Sequence, residues 1–256
     1  MSVADLHDES ELRTYRWACD TRGALTPEQR RALLPKIART YGAFLAGTAT
    51  LPWRRRRAPD PPSAVYPDSK LMQIADEAAR EQPAPIAEHG YRTWLFGTAL
   101  AHVDAMQLDP ELFYIGALLH DAGIVKAVAG EDFTIRSAEL AMATLDAAEQ
   151  NPNPERRTSL ADAIVAHITP GLTAGDNPMG SYLQAGAILD LLGMRLWDLP
   201  EPFVRDVYAR HPQAGVRTMV RDMIKNEVRA VPAGRFGLLA ATGFRFAVNI
   251  ATTRNY

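Results

Sequence analysis

The segment GALLHDAG, residues 116–123, sets His120 and Asp121 side by side at the end of an apolar run. Packing alone would favour Leu or Ala there, whereas an imidazole next to a carboxylate offers nitrogen and oxygen ligands to a divalent ion. Three more side chains of the same kind sit in apolar helical surroundings. His89 opens EHGYRTWLFGTAL with Arg92, Thr93 and Phe96 on its face, and His167 shares a face with Leu160, Ile164 and Ile168. Asp190 lies among Ile188, Leu189, Leu191 and Leu192, where an ionised carboxylate is costly unless a cation or hydrogen-bond donors meet it. Together His89, His120, Asp121 and Asp190 would hold one divalent ion and leave a position for water. His167, with an ordinary pKa of about 6.5, is a candidate for moving protons beside it.

Each residue also has a structural reading. His120 suits the dipole at a helix C-terminus, Asp121 a solvated turn, and His89 the cap of its own helix. Asp190 could pair with Arg92 or Arg195, and His167 could be a hydrogen-bonded core histidine. Arg92, one turn after His89, would clamp an anionic or polar substrate or neutralise Asp121 and Asp190. His102 falls about 140° round the helix from His89 and so faces elsewhere. His7 and His211 lie outside these apolar segments and read as surface residues.

The elements that must position these groups are helical. TPEQRRALL offers Thr26 as N-cap, Pro27 at the first helical position and Gln29 to close a capping box. DPELFYIGALLHDAG repeats that grammar, with Asp109 as cap and Gly123 as a left-handed terminator. Asn153 or Ser159 would cap the helix that carries His167. No alternating segments bounded by hairpin turns are evident, so the fold is expected to be all-α. Leu51 to Pro67, rich in proline and carrying Arg54 to Arg57, reads as an extended connector. It divides an N-terminal helical extension (1–60) from the main body (61–256). With Trp53 as their one aromatic neighbour, the arginines suit a solvated loop better than a phosphate or RNA site. TPGLTAGDNPMGSY, between His167 and Asp190, reads as a glycine-rich loop over the site, and the apolar C-terminal segment should dock on the body.

The totals narrow the function classes. The 256 residues are 47% hydrophobic, enough for a sizeable core, and carry a net charge of -2, so no global field draws the protein to nucleic acid or an anionic membrane. One cysteine, Cys19, cannot form an internal disulfide and is too few for a thiolate metal site. The acidic start MSVADLHDES has no signal-peptide core, and no apolar stretch approaches the roughly 18 residues of a membrane span. A cytoplasmic protein acting on a small molecule is expected, with no nucleic-acid or membrane partner. The apolar tail makes a homodimer plausible.

The order His, then His-Asp, then a late Asp in a helical chain resembles the HD-domain superfamily of metal-dependent hydrolases. PDSKLMQIADEAAR leading to EHGYRTWLFG, then LLHDAG, EDFTIRSAELA, IVAHIT and AILDLLG, is most similar to the cyanamide hydratase-like branch over residues 67–195. A fainter likeness continues in YARHPQAGVRTMVRDMIKNEVRAVP. The resemblance implies an HD-type helical bundle with His89, His120, Asp121 and Asp190 as ligands of zinc or iron, and His167 in a matching position. Superfamily members often carry a lysine soon after the dipeptide, which puts Lys126 among the candidates although it is displaced. Ile124 and Val125 stand where nucleotidase relatives place an acidic residue. His167 is the only histidine between the dipeptide and Asp190, which favours one ion over a di-iron pair. The resemblance thus implies a metal-dependent hydratase or hydrolase of a small, nitrile-like or cyanamide-like molecule. A nucleotide or other phosphoester phosphohydrolase is the first alternative, and a non-catalytic metal-loaded binding protein the second.

Overall fold

The computed structural model describes residues 10–55, 58, 59, 61, 66, 68–149 and 152–250. These form twelve α-helices with short 3-10 turns, and the sole strand-like pairings among the described residues are isolated bridges such as Ala24 with Gly234. In chain order the helices are α1 (Tyr15–Thr21), α2 (Pro27–Arg55), α3 (Lys70–Arg80), α4 (Ala84–Val103), α5 (Pro110–Leu119) and α6 (Phe133–Ala148). They continue as α7 (Pro154–Ala166), α8 (Pro178–Leu192), α9 (Glu201–Arg210), α10 (Val216–Ala230), α11 (Arg235–Ala241) and α12 (Phe244–Ile250). The all-α expectation is met, and no described helix is long and apolar enough to cross a membrane.

Local start signals act as the sequence predicts. Gln29 N–H donates to Thr26 Oγ1 (3.2 Å) and Thr26 N–H to Gln29 Oε1 (2.9 Å), closing the capping box of α2. Asp109 accepts from the N–H groups of Glu111 and Leu112 at the start of α5, and Asn153, not Ser159, caps α7.

Two local expectations need correction. Gly123 is not left-handed, and α5 ends earlier, at Leu119. Its glycine is required by close approach instead: a Cβ there would lie 2.1 Å from the carbonyl oxygen of Phe133. The connector expected to begin at Leu51 is helical to Arg55. Tertiary contacts override Pro52, because Arg54 reaches Asp198 at 2.6 Å and its guanidinium lies 5.6 Å from the Trp197 ring centre. Arg56, Arg57 and most of the remaining connector lie outside the described residues, as do His7 and the last six residues.

The crossing of α4 with α8 organises the body. At Gly186 of α8 an added Cβ would stand 2.3 Å from Thr93 O and 3.0 Å from Gly97 N, so the two helices touch backbone to backbone. Thr93 and His89 precede Gly97 at four-residue steps on α4, and Asp190 follows Gly186 by four on α8. One close crossing therefore brings His89 and Asp190 together.

The two ends of the described chain close over this body. Arg235, fully buried at the start of α11, donates to the carbonyl oxygens of Val165 (2.5 Å) and Leu12 (3.4 Å) and to Thr134 Oγ1 (3.0 Å). It also faces Asp132 at 3.4 Å, so one guanidinium ties the N-terminal turn to α6, α7 and α11.

Candidate metal centre

Three imidazoles converge on one carboxylate, and each is fixed from behind. His89 Nδ1 lies 2.6 Å from Asp190 Oδ2, His120 Nδ1 is 2.8 Å from the Ala117 carbonyl oxygen, and His167 Nδ1 is 2.5 Å from that of Ile164. A carbonyl or ionised carboxylate oxygen can only accept, which assigns a proton to each Nδ1, so that in the neutral imidazole Nε2 carries the lone pair. His89 Nε2 and His120 Nε2 stand 3.7 and 3.5 Å from Asp121 Oδ2, while His167 Nε2 stands 3.5 Å from Oδ1.

This arrangement asks for a cation. Nε2 of His89 and of His120 is buried with no hydrogen-bond partner, and both face the anion with lone pairs rather than protons. Burial pushes the His120 imidazole down to about 3 against the opposing pull of Asp121, so at neutral pH it is an acceptor. Burial alone would raise the Asp121 carboxyl, yet the neighbouring His120 and His167 hold it well below the carboxylate range. One ligand atom each from His89, His120 and Asp121 lie within 4.8 Å of one another, so this buried group could hold a metal ion.

Asp190 is placed differently from the sequence expectation. Its Oδ2 meets His89 Nδ1, while Oδ1 accepts from Arg92 Nε at 2.8 Å and from Gln213 Nε2 at 2.7 Å. Burial would raise its carboxyl, but the Arg92 charge and the His89 hydrogen bond hold it well below the usual range. The charge that the sequence seemed to reserve for a dication is therefore met by a guanidinium, and Asp190 orients His89 from behind. Arg195, the other partner considered, binds Asp104 and Asp198 instead.

Two of the residues expected to be catalytic lie away from the cavity. Arg92 is fully buried and does not line the cavity; its Nη1 donates to the carbonyl oxygens of His211 (3.1 Å) and Pro212 (2.8 Å), while its Nη2 is buried with no hydrogen-bond partner, so its Nε contact places it behind Asp190. Lys126 is exposed beyond the turn Ala122–Val125 and does not line the cavity above the imidazoles. His102 is exposed, as its angle on α4 predicts. His211 is not the surface residue expected: its Nδ1 is 2.8 Å from Glu88 Oε2 and its ring stacks on Tyr91 at 4.8 Å.

A cavity of about 100 Å³ opens on His89, His120, Asp121 and His167. Pro170 and Gly171 line it, so part of the expected glycine-rich loop does cover the site, although Pro178 onward already belongs to α8. Three contributors escaped sequence reasoning. Tyr41 comes from the N-terminal α2, Gln213 sits in an irregular turn without periodicity, and Gln184 donates to the carbonyl oxygens of His167 (2.6 Å) and Thr169 (2.9 Å). A glutamine on a helix with an apolar face was the one available signal, for Gln184.

Compared with known protein families and with curated proteins, the sequence matches none of them.

Proposed function

We propose that the chain is an HD-type, metal-dependent enzyme that adds water to a small molecule, as a hydratase or hydrolase. The observation that carries this reading is the convergence of buried, lone-pair-bearing nitrogens of His89 and His120 on Asp121. A nitrogen-rich set with one carboxylate oxygen suits zinc or iron better than magnesium or calcium, which prefer oxygen shells. When bound, such an ion supplies Lewis acidity and makes hydroxide available near neutral pH.

The protein's own groups divide the remaining work. His89 and His120 address one oxygen of Asp121, and His167 addresses the other from the cavity wall. With Nδ1 locked to Ile164 O, His167 can take up or release a proton only at Nε2, on the side where a substrate would lie. His167 is accordingly the proton carrier of this scheme. Asp190, Arg92 and Gln213 hold His89 in the orientation it needs.

Metal analysis of protein purified without chelators, followed by turnover with cyanamide, nitriles and nucleotides, tests the reading. One zinc or iron per chain together with amide or urea-type products supports it. Phosphate release points to a phosphohydrolase, inert metal-loaded protein to a binding role, and protein that takes up no metal removes the proposal.

A further inference from the structure

The cavity carries information about the ligand that the imidazole cluster does not. Its walls come from Ile188 and Leu191 of α8, Val220 and Ile224 of α10, and Phe236 and Phe244 near the C-terminal end, with no lysine or arginine among the described residues that line it. Arg92, the nearest candidate for an anion clamp in the sequence, lies outside the cavity lining, with Nε on Asp190 and Nη1 on two carbonyl oxygens. Bringing a phosphate or carboxylate into such walls strips its hydration without supplying donors in return. A very small polar molecule fares little better, because the walls offer it almost nothing to hold.

Apart from the imidazole cluster, three polar side chains interrupt the apolar lining, and Thr40 among them is bonded to the Lys36 carbonyl oxygen at 3.0 Å. Tyr41 lines the cavity, with its buried hydroxyl turned toward the Thr242 side chain. Gln184 has its amide hydrogens committed to two carbonyl oxygens, which leaves Oε1 as its acceptor. The Tyr41 hydroxyl and Gln184 Oε1 are the polar groups of an otherwise apolar chamber that could receive a ligand's polar substituent.

We infer that the site takes an uncharged molecule with an aliphatic or aromatic body, its reacting group at the imidazoles and its hydrocarbon part in the chamber beneath α2. The volume is of the order of the ~150 Å³ that admits benzene, so the body is about the size of one ring or a short alkyl chain. This narrows the substrate class of the proposed function and rests on that reading only for what happens after binding.

The test is calorimetric titration of the full-length protein, chelator-treated and zinc-loaded, with n-alkyl nitriles from acetonitrile to octanenitrile. Cyanamide, inorganic phosphate and a nucleoside monophosphate serve as comparators. Affinity should rise about four-fold per added methylene and then level off as the chamber fills. Phosphate and nucleotide should bind far more weakly than the longer nitriles in both forms. Val220→Phe should bring the plateau to shorter chains and Leu239→Ala should move it to longer ones, each without change in bound zinc, so the failure of either variant to fold leaves the other as a test. A flat series, or tighter binding of phosphate or nucleotide, overturns the inference. Chain-length dependence in protein that binds no zinc would sink the proposed function and leave this inference standing, whereas metal-dependent turnover with a flat series would do the reverse.

Discussion

His89 and Asp190 are joined by a 2.6 Å hydrogen bond from Nδ1 to Oδ2, and neither side chain has exposed surface. The carboxylate thus holds the imidazole from behind, with Arg92 neutralising its other oxygen, and His89 would present Nε2 to a metal ion held with His120 and Asp121. If Asp190 acts by orientation, Asp190→Asn should keep one metal ion per chain with affinity weakened about 10–100-fold. Asp190→Ala should also destabilise the fold by about 3–5 kcal/mol, since it strands a buried guanidinium. Competition with a chelating dye and urea denaturation read the two effects. Complete loss of metal from Asp190→Asn at saturating zinc would instead make Asp190 a direct ligand.

His167 and His120 should separate in the same way. His120→Ala removes a nitrogen from the group that could hold the ion and should abolish stoichiometric metal. His167→Ala should retain the metal and lose about 10²–10⁴-fold in kcat. Metal content and pH–rate profiles on whichever substrate turns over distinguish the roles, and equal metal retention in both variants would contradict them.

Lys126 serves as a control on the sequence reading. It is exposed and outside the cavity, so Lys126→Ala should shift stability by no more than about 0.5 kcal/mol and leave turnover unchanged. A fall in kcat beyond ten-fold would show that the turn after Val125 closes over the site.

Glu227 gives a pH dependence independent of any metal. Burial raises its carboxyl from the ordinary value of 4.5 to about 7; Oε1 accepts from Phe133 N–H, while Oε2 is buried and 3.7 Å from Arg136 Nη2. The folded protein therefore keeps a proton that the unfolded chain releases, so stability falls as pH rises from 4.5 to about 7 and is flat above that. Glu227→Gln should leave the melting temperature at pH 5 nearly unchanged and raise it at pH 8. A variant whose gain is the same at both pH values would remove titration as the cause.

What the sequence reveals here is what acts over a few residues. The Thr26, Asp109 and Asn153 caps and the inward stripe ending at His167 are local, and each helix start follows. Gly123 and Pro52 mislead because their roles depend on distant backbone and on Trp197. The sequence likewise identifies Asp190 as an anion needing compensation, but the compensating guanidinium lies 98 residues earlier and the third donor, Gln213, sits in a loop. Chemistry-bearing residue types are legible; which of two shells each one occupies depends on how closely α4 and α8 cross.

The chamber above the imidazoles has an uneven ancestry along the chain. Ile37, Tyr41 and Phe44 come from near one end, and Phe236, Leu239 and Phe244 from near the other, whereas every histidine and aspartate of the cluster lies between positions 89 and 190. During synthesis the reactive constellation emerges before its enclosure can be completed. The same division separates the residues that shape the chamber from those that form the cluster.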